Sequence, residues 1–428
     1  MEERTHQEER AILVGAGEDR QLGELARLAE TLGLEVVEIL EQGRRDGSGY
    51  LGRGKREELS GLLGRAGAGL VVVDDELSAS QARVLEKAAR VTVVDRTLLI
   101  IRIFEAHARD AASRLEVELA ELTYRLPRVR GGYKALSRLG GGGVTTRGPG
   151  EQQLEYDRRV IRQRMEKIRK RLEEEKAARK VRGARLKKEG PPHVALVGYT
   201  NTGKTTLLNA LSGESRSTAD RLFETLETTT RLVAGASSNG KDSDAGSSRP
   251  DFVLTDTVGF IRKLPTQLVH SFASTLEAAK DADVVVLCAD ASSEKLDEEV
   301  QTVENTLAET FSEADSNLSH RETILCLNKT DLIPEERERE LVASYPGAVL
   351  ISAKTDAVSP LLDAVYEALS QSRVRLRLLI PHAEYGVASG LYGRAEIHAS
   401  ENTEEGLRLD VTLPKPQVHR YANYRTTS

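Results

Sequence analysis

HVALVGYTNTGKTTLLNALS, residues 193–212, is an apolar run that breaks at a glycine-bearing turn and resumes with helical spacing. The turn, Gly198-Tyr199-Thr200-Asn201-Thr202-Gly203-Lys204-Thr205, matches G-x-x-x-x-G-K-[ST] in full. Glycines let backbone N–H groups wrap a polyphosphate, and the helix N-terminus that follows favours negative charge. Lys204 is expected to reach the β- and γ-phosphates, and the Thr205 hydroxyl to ligate Mg2+. Strand, loop and helix in this order predict a parallel α/β domain of the P-loop class.

Downstream, the strand DFVLTD ends at Asp256-Thr257-Val258-Gly259. An Asp there is placed to hold the water shell of Mg2+, and the Gly259 N–H can meet a γ-phosphate. Asn328-Lys329-Thr330-Asp331 follows the strand TILCL. The Asp331 carboxylate can accept two hydrogen bonds from guanine, from N1–H and the 2-amino group. Adenine lacks that donor pair, so such a site rejects it strongly. Asn328 and Lys329 are expected to tie this loop to the P-loop and cover the base. Ser352-Ala353-Lys354 supplies a companion loop whose backbone N–H suits guanine O6. Together these elements predict binding of GTP and GDP.

A segment sensing γ-phosphate should lie between Thr205 and Asp256, where DRLFETLETTTR is the hydroxyl-rich candidate. Phe223-Glu224-Thr225-Leu226-Glu227 is taken as its nucleotide-facing part. Thr225 is the chosen second Mg2+ ligand and, with Lys204, the catalytic pair; Thr229 is the alternative, which spacing leaves open. Phe260 stands where many GTPases carry a water-orienting Gln, so slow intrinsic hydrolysis is expected.

To the N-terminal side, residues 11–97 alternate apolar strands with helical stretches, predicting a parallel α/β domain assigned to residues 1–97. Gly15-Ala16-Gly17 follows its first strand, but Arg20 replaces the third glycine of a dinucleotide fingerprint, which favours a plain turn. Residues 98–189 read as a long helical hairpin. Ile101, Phe104, Ala108, Ala111, Leu115, Leu119, Leu122 and Leu126 form one seam, and Ile161, Met165, Ile168 and Leu172 another. About 29 residues of helix would make an arm of roughly 44 Å. The glycine-rich stretch 131–150 joins the two helices; the competing arrangement packs both helices flat on the α/β domain. The P-loop domain is assigned to 190–372, with a polar insertion at 236–250. Residues 373–428 predict a small α+β domain.

The chain has 428 residues, 39% hydrophobic and 30% charged, with net charge −6. It fits a soluble, multidomain protein. No apolar run is long enough to span a bilayer, and MEERTHQEER has no signal core. Cys288 and Cys326 lie in apolar runs and read as reduced core thiols. Between Arg158 and Glu189 fifteen Lys/Arg face five Glu, a basic segment that reads either as a solvated helix face or as a surface for RNA.

These stretches resemble the HflX family of ribosome-associated GTPases. QGRRDGSGYLGRGKREEL, RGPGEQQLEYDRR, GYTNTGKTTLLN with RLFETLETTTR, and DTVGFIRKLP carry the likeness, over about residues 36–369. The resemblance implies a cytoplasmic, ribosome-associated GTP hydrolase, with a peripheral position at a membrane left open. Its implied partners are the large ribosomal subunit and its RNA, its metal is Mg2+, DNA is not a partner and a monomer is expected. Splitting or rescue of stalled ribosomes, or ribosome biogenesis, is the implied role. A GTP-gated ribosome- or RNA-binding module with negligible turnover is the alternative. In the family a glycine-rich hairpin loop approaches the peptidyl-transferase region, and the second switch threonine falls on Thr225. ATP binding by the N-terminal domain, known in parts of the family, is not expected here, since no P-loop is present there. Departures are Glu227-Thr228 for a usual Asp-Pro, Gln152 for a usual Thr, and the 236–250 insertion.

Overall fold

The fold is taken from a computed structural model of the chain. It describes residues 9–108, 110–129, 149–189, 191–213, 229–235, 251–263, 278–280, 282–310, 322–355, 357–371, 373–389, 391 and 395–426. Phe223, Glu224, Thr225, Leu226 and Glu227, most of the glycine-rich stretch and the 236–250 insertion lie outside them. The chain forms two compact units.

The first unit holds residues 1–175, 219–227 and 262–273. Its four-stranded parallel sheet has the order β2-β1-β3-β4, with β1 Glu9–Ala16, β2 Leu34–Gln42, β3 Leu70–Val73 and β4 Thr92–Asp95. β1 and β3 are central and almost continuously apolar because both sheet faces are covered. Helices α1 (Leu22–Thr31), α2 (Arg53–Ala66) and α3 (Ala79–Ala89) alternate with the strands. In the turn after β1, Arg20 Nη1 donates to the Gly17 carbonyl at 2.6 Å.

The GRRDGSGYLGRGK stretch folds back onto the strand ends. Asp46 and Tyr50 exchange two backbone hydrogen bonds, and the Asp46 carboxylate accepts from Ser48 and Gly49. Tyr50 is held at φ 65 with its ring buried. Its phenol accepts from Ala16 N at 3.0 Å and donates to Asp75 Oδ2 at 2.7 Å.

The long seam beginning at Leu98 is not one helix. It divides into α4 (Arg96–His107) and α5 (Ala111–Arg125), because Ala108 turns extended and the Asp110 side chain caps a new start on Ser113 N at 2.6 Å. Ile101 and Phe104 are buried on α4. The hairpin seam therefore starts at α5. Leu115, Leu119, Leu122 and Leu126 pack against Ile161, Met165, Ile168 and Leu172 of α6 (Pro149–Glu189). Arg164 and Glu118 add a bidentate pair across it. At 1.5 Å per residue, α5 alone is about 22 Å long, half the expected arm.

The second unit holds a six-stranded sheet, order β10-β9-β8-β5-β7-β6. Its strands are β5 His193–Gly198, β6 Thr229–Val233, β7 Phe252–Asp256, β8 Val284–Asp290, β9 Glu322–Asn328 and β10 Val349–Leu350. All pair in parallel except β6 with β7. Helices α7 (Lys204–Ser212), α8 (Leu296–Thr310), α9 (Glu335–Ser344) and α10 (Ser359–Gln371) accompany it. Cys288 and Cys326 are in-register neighbours on β8 and β9, free and fully buried. Beyond them β11 (Arg373–Ile380), β12 (Glu396–Thr403) and β13 (Gly406–Pro414) form an antiparallel sheet, order β11-β13-β12, with the short helix α11 (Tyr385–Ser389). Its core of Leu376, Leu378, Leu409 and Val411 is separate from that of the six-stranded sheet. The chain is thus a multi-domain α/β protein with a P-loop domain.

Candidate nucleotide site

The site forms at the C-terminal ends of β5, β7, β8 and β9. β5 delivers Gly198, and α7 starts at Lys204 directly after Gly203, which sits at φ +88. Both glycines are fixed by close approach. A Cβ at Gly198 would lie 2.1 Å from the Cys288 carbonyl, and one at Gly203 would lie 2.4 Å from Asn328 Nδ2. Asn201 also takes a left-handed conformation, φ 63, which an Asn tolerates better than most residues.

Lys204 is 6% exposed, and its Nζ donates to the carbonyls of Tyr199 at 2.7 Å and Gly198 at 3.2 Å. Burial lowers its pKa from the ordinary lysine value, against the opposing pull of the Asp256 carboxylate. Thr205 Oγ1 donates to Asp256 Oδ2 at 2.7 Å. Asp256 is fully buried at the end of β7. Hydroxyl and carboxylate oxygens are the hard donors that Mg2+ prefers, so this pair fits such an ion. No group of three or more His, Cys, Asp or Glu side chains suited to a metal occurs among the described residues.

After Asp256 the chain closes over the P-loop. Thr257 Oγ1 donates to Leu196 O at 2.6 Å, and Val258 is buried. Phe260 N donates to Gly198 O at 2.9 Å, and Thr200 N donates back to Phe260 O at 2.7 Å. The Phe260 ring is 1% exposed, so it serves the core and offers no polar group to water.

The base-side loops converge on the same place. Asn328 Nδ2 donates to Thr202 O at 2.8 Å, while its Oδ1 accepts from Ala353 N at 2.9 Å. One side chain thus ties the P-loop, the end of β9 and the Ser352-Ala353-Lys354 loop together. Ser352 Oγ donates to Asp331 Oδ1 at 2.7 Å, and Thr330 N donates to Ile351 O. Asp331 and Lys354 are exposed. Of the residues singled out in the sequence, those described come together here; Phe223 to Glu227 lie outside the described residues.

Two residues that sequence reasoning missed belong to this site. Asp290 Oδ2 pairs with Lys329 Nζ at 2.7 Å, and Lys329 itself is left-handed at φ 67. Cys288 Sγ donates to Thr202 O at 3.4 Å, beside the Asn328 bond. A polar residue closing the apolar run VVVLCAD was the available signal for Asp290; nothing in the sequence marks the sulfur.

The family model described as "GTP-binding GTPase N-terminal" matches residues 19–105, and "GTP-binding GTPase Middle Region" matches 107–185. "50S ribosome-binding GTPase" matches 193–329. The chain is 40% identical over 436 residues to "GTPase HflX" of Caldanaerobacter subterraneus subsp. tengcongensis, covering 99% of this chain and 95% of that protein. It is 36% identical over 403 residues to "GTPase HflX" of Escherichia coli, covering 92% and 89%. The solved GTP-binding protein of Sulfolobus solfataricus in complex with GDP is 22% identical, with TM-score 0.44, covering 85% of this chain and 99% of that one.

Proposed function

The chain belongs to the HflX family of GTPases and is a GTP hydrolase, and on that premise we propose that it works on the large ribosomal subunit. The observation carrying this reading is the charge of α6, whose segment Arg158–Glu189 sets fifteen Lys/Arg against five Glu in a protein of net charge −6. A basic helix of that kind favours RNA phosphates, and its binding falls steeply with salt. The description of the matched family as ribosome-binding supports the same partner. A cytoplasmic place follows from this partner; no helix among the described residues is long and apolar enough to cross a membrane. Splitting or rescue of stalled ribosomes, or ribosome biogenesis, is the role we assign.

In the reading proposed here, Lys204 neutralises the β- and γ-phosphates, and P-loop N–H groups hold the β-phosphate. Thr205, supported by Asp256, and Thr225 would hold Mg2+. When bound, that ion would supply positive charge to offset the charge on the phosphates. Gly259 would offer its N–H to the γ-phosphate, and Asp331 would read guanine. Phe260 leaves hydrolysis without a water-orienting amide, so turnover in the free protein is slow.

Sedimentation with isolated large subunits, in GDP and in a nonhydrolysable GTP analogue, tests the partner. We expect tighter binding in the analogue and weaker binding as salt rises. Equal, salt-independent binding in both nucleotides would sink the ribosomal reading. Because Phe260 slows turnover, a GTP-gated binding module remains the second reading. Phosphate release that large subunits fail to accelerate would favour it.

A further inference from the structure

Thr200, Thr202 and Thr205 are the threonines of the P-loop, and they differ in what their hydroxyls do. Thr202 Oγ1 donates to Tyr199 O at 3.1 Å, and Thr205 Oγ1 donates to Asp256 at 2.7 Å. Thr200 is 7% exposed, yet its Oγ1 is buried with no hydrogen-bonding partner among the described residues. Buried hydroxyls are normally paired. An orphan inside a phosphate-binding loop marks a bond that a ligand completes.

Its neighbours identify that ligand. Gly259 comes so near that a Cβ there would lie 2.8 Å from Thr200 Cα, 3.0 Å from Thr200 Cγ2 and 3.0 Å from Lys204 Nζ. Thr200 N is also the donor to Phe260 O. Thr200 and Lys204 Nζ therefore both border Gly259, the glycine whose N–H is proposed to meet the γ-phosphate. The side chain of Phe260, buried and apolar, supplies no polar contact there.

We propose that Thr200 Oγ1 is a direct ligand of the γ-phosphate of GTP and a catalytic residue of its hydrolysis. The hydroxyl donates to a non-bridging γ-oxygen, and its lone pairs remain able to accept from the attacking water. Water attacks phosphorus, the bond to the β–γ bridging oxygen breaks, and GDP leaves while the water's proton ends on the released phosphate. This deepens the GTP-hydrolase assignment and rests on it.

The test uses the full-length chain with Thr200→Val, Thr200→Ala and Thr200→Ser. Affinities for GDP and for a nonhydrolysable GTP analogue are measured beside single-turnover hydrolysis. Loss of a hydrogen bond to a charged group should weaken analogue binding about tenfold in the Val and Ala variants, with GDP affinity within about twofold of wild type. Hydrolysis should slow by at least as much, and Thr200→Ser should restore most of both. An unchanged analogue-to-GDP ratio overturns the proposal. So does a parallel loss of both nucleotides, or of the fold, since the hydroxyl would then only support the loop. The affinity ratio does not depend on turnover. Wild-type protein that binds both nucleotides without hydrolysing GTP would instead strike at the enzyme assignment.

Discussion

The Ser352 hydroxyl donates to Asp331 Oδ1 at 2.7 Å, so the carboxylate proposed to read guanine is oriented by a residue twenty-one positions away. Ser352 is buried and Asp331 is exposed. The hydrogen bond fixes one carboxylate oxygen and leaves the group open to a base. Asp331→Asn should shift preference from guanine toward xanthine nucleotides, because an amide donor faces xanthine's 2-oxo group. Ser352→Ala should weaken GDP binding by about three- to tenfold without changing base preference. Competition among GDP, ADP and XDP measures both. An Asn variant that still prefers GDP removes Asp331 from the role.

Gly198→Ala and Gly259→Ala should fail differently. A methyl at position 198 would press on the Cys288 backbone at 2.1 Å, with nothing flexible to yield. GDP and GTP binding should both be lost. At position 259 the methyl meets Thr200 and the flexible end of Lys204 at 2.8–3.0 Å. GDP binding should largely survive there while the response to the γ-phosphate is lost. Equal losses of the two nucleotides in Gly259→Ala would contradict this division.

Asp290→Asn should loosen the base loop. The ion pair with Lys329 is 18–23% exposed, so a modest contribution of about 0.5–1 kcal/mol is appropriate. GDP affinity should fall about two- to fivefold, with the rate of the bound GTP unchanged. A change in rate at saturating GTP, with affinity intact, would place Asp290 elsewhere in the mechanism.

Thr225→Ala should leave GDP affinity nearly intact and blunt the response to GTP, since a switch ligand of Mg2+ acts only when γ-phosphate is present. Thr229 opens β6, paired with Asp256, which gives it a place in the sheet. If Thr229→Ala shows the GTP-selective loss instead, the switch register chosen here is wrong.

Replacing residues 131–150 with a short Gly/Ser bridge should spare GTP binding, because the nucleotide loops all lie beyond residue 190. Lys134, Arg138 and Arg147 are removed with it, and Tyr133, which suits base stacking. Binding to large subunits should weaken, with a shallower dependence on salt. Unchanged affinity and salt slope in a folded, GTP-binding variant would make the stretch a passive connection.

The sequence by itself determined the P-loop domain and picked out the two loops proposed to read guanine. Their glycines, lysine and carboxylates sit at fixed spacing beside strand ends, because backbone wrapping of phosphate permits little variation. It also determined the α5–α6 seam, since Leu115 to Leu126 and Ile161 to Leu172 keep helical period on both partners. It misjudged the start of that hairpin. Apolar periodicity runs through Ala108 unbroken, and only Asp110, a capping residue, hints at the new helix. The Asp290–Lys329 pair, the Cys288 contact with Thr202 and the unpaired Thr200 hydroxyl came from the tertiary structure. Their significance depends on which strand ends lie side by side in the order β9-β8-β5-β7, and on which hydrogen bonds that packing satisfies or leaves open. Linear spacing carries local geometry; it does not carry the distance between Cys288 and Thr202, 86 positions apart.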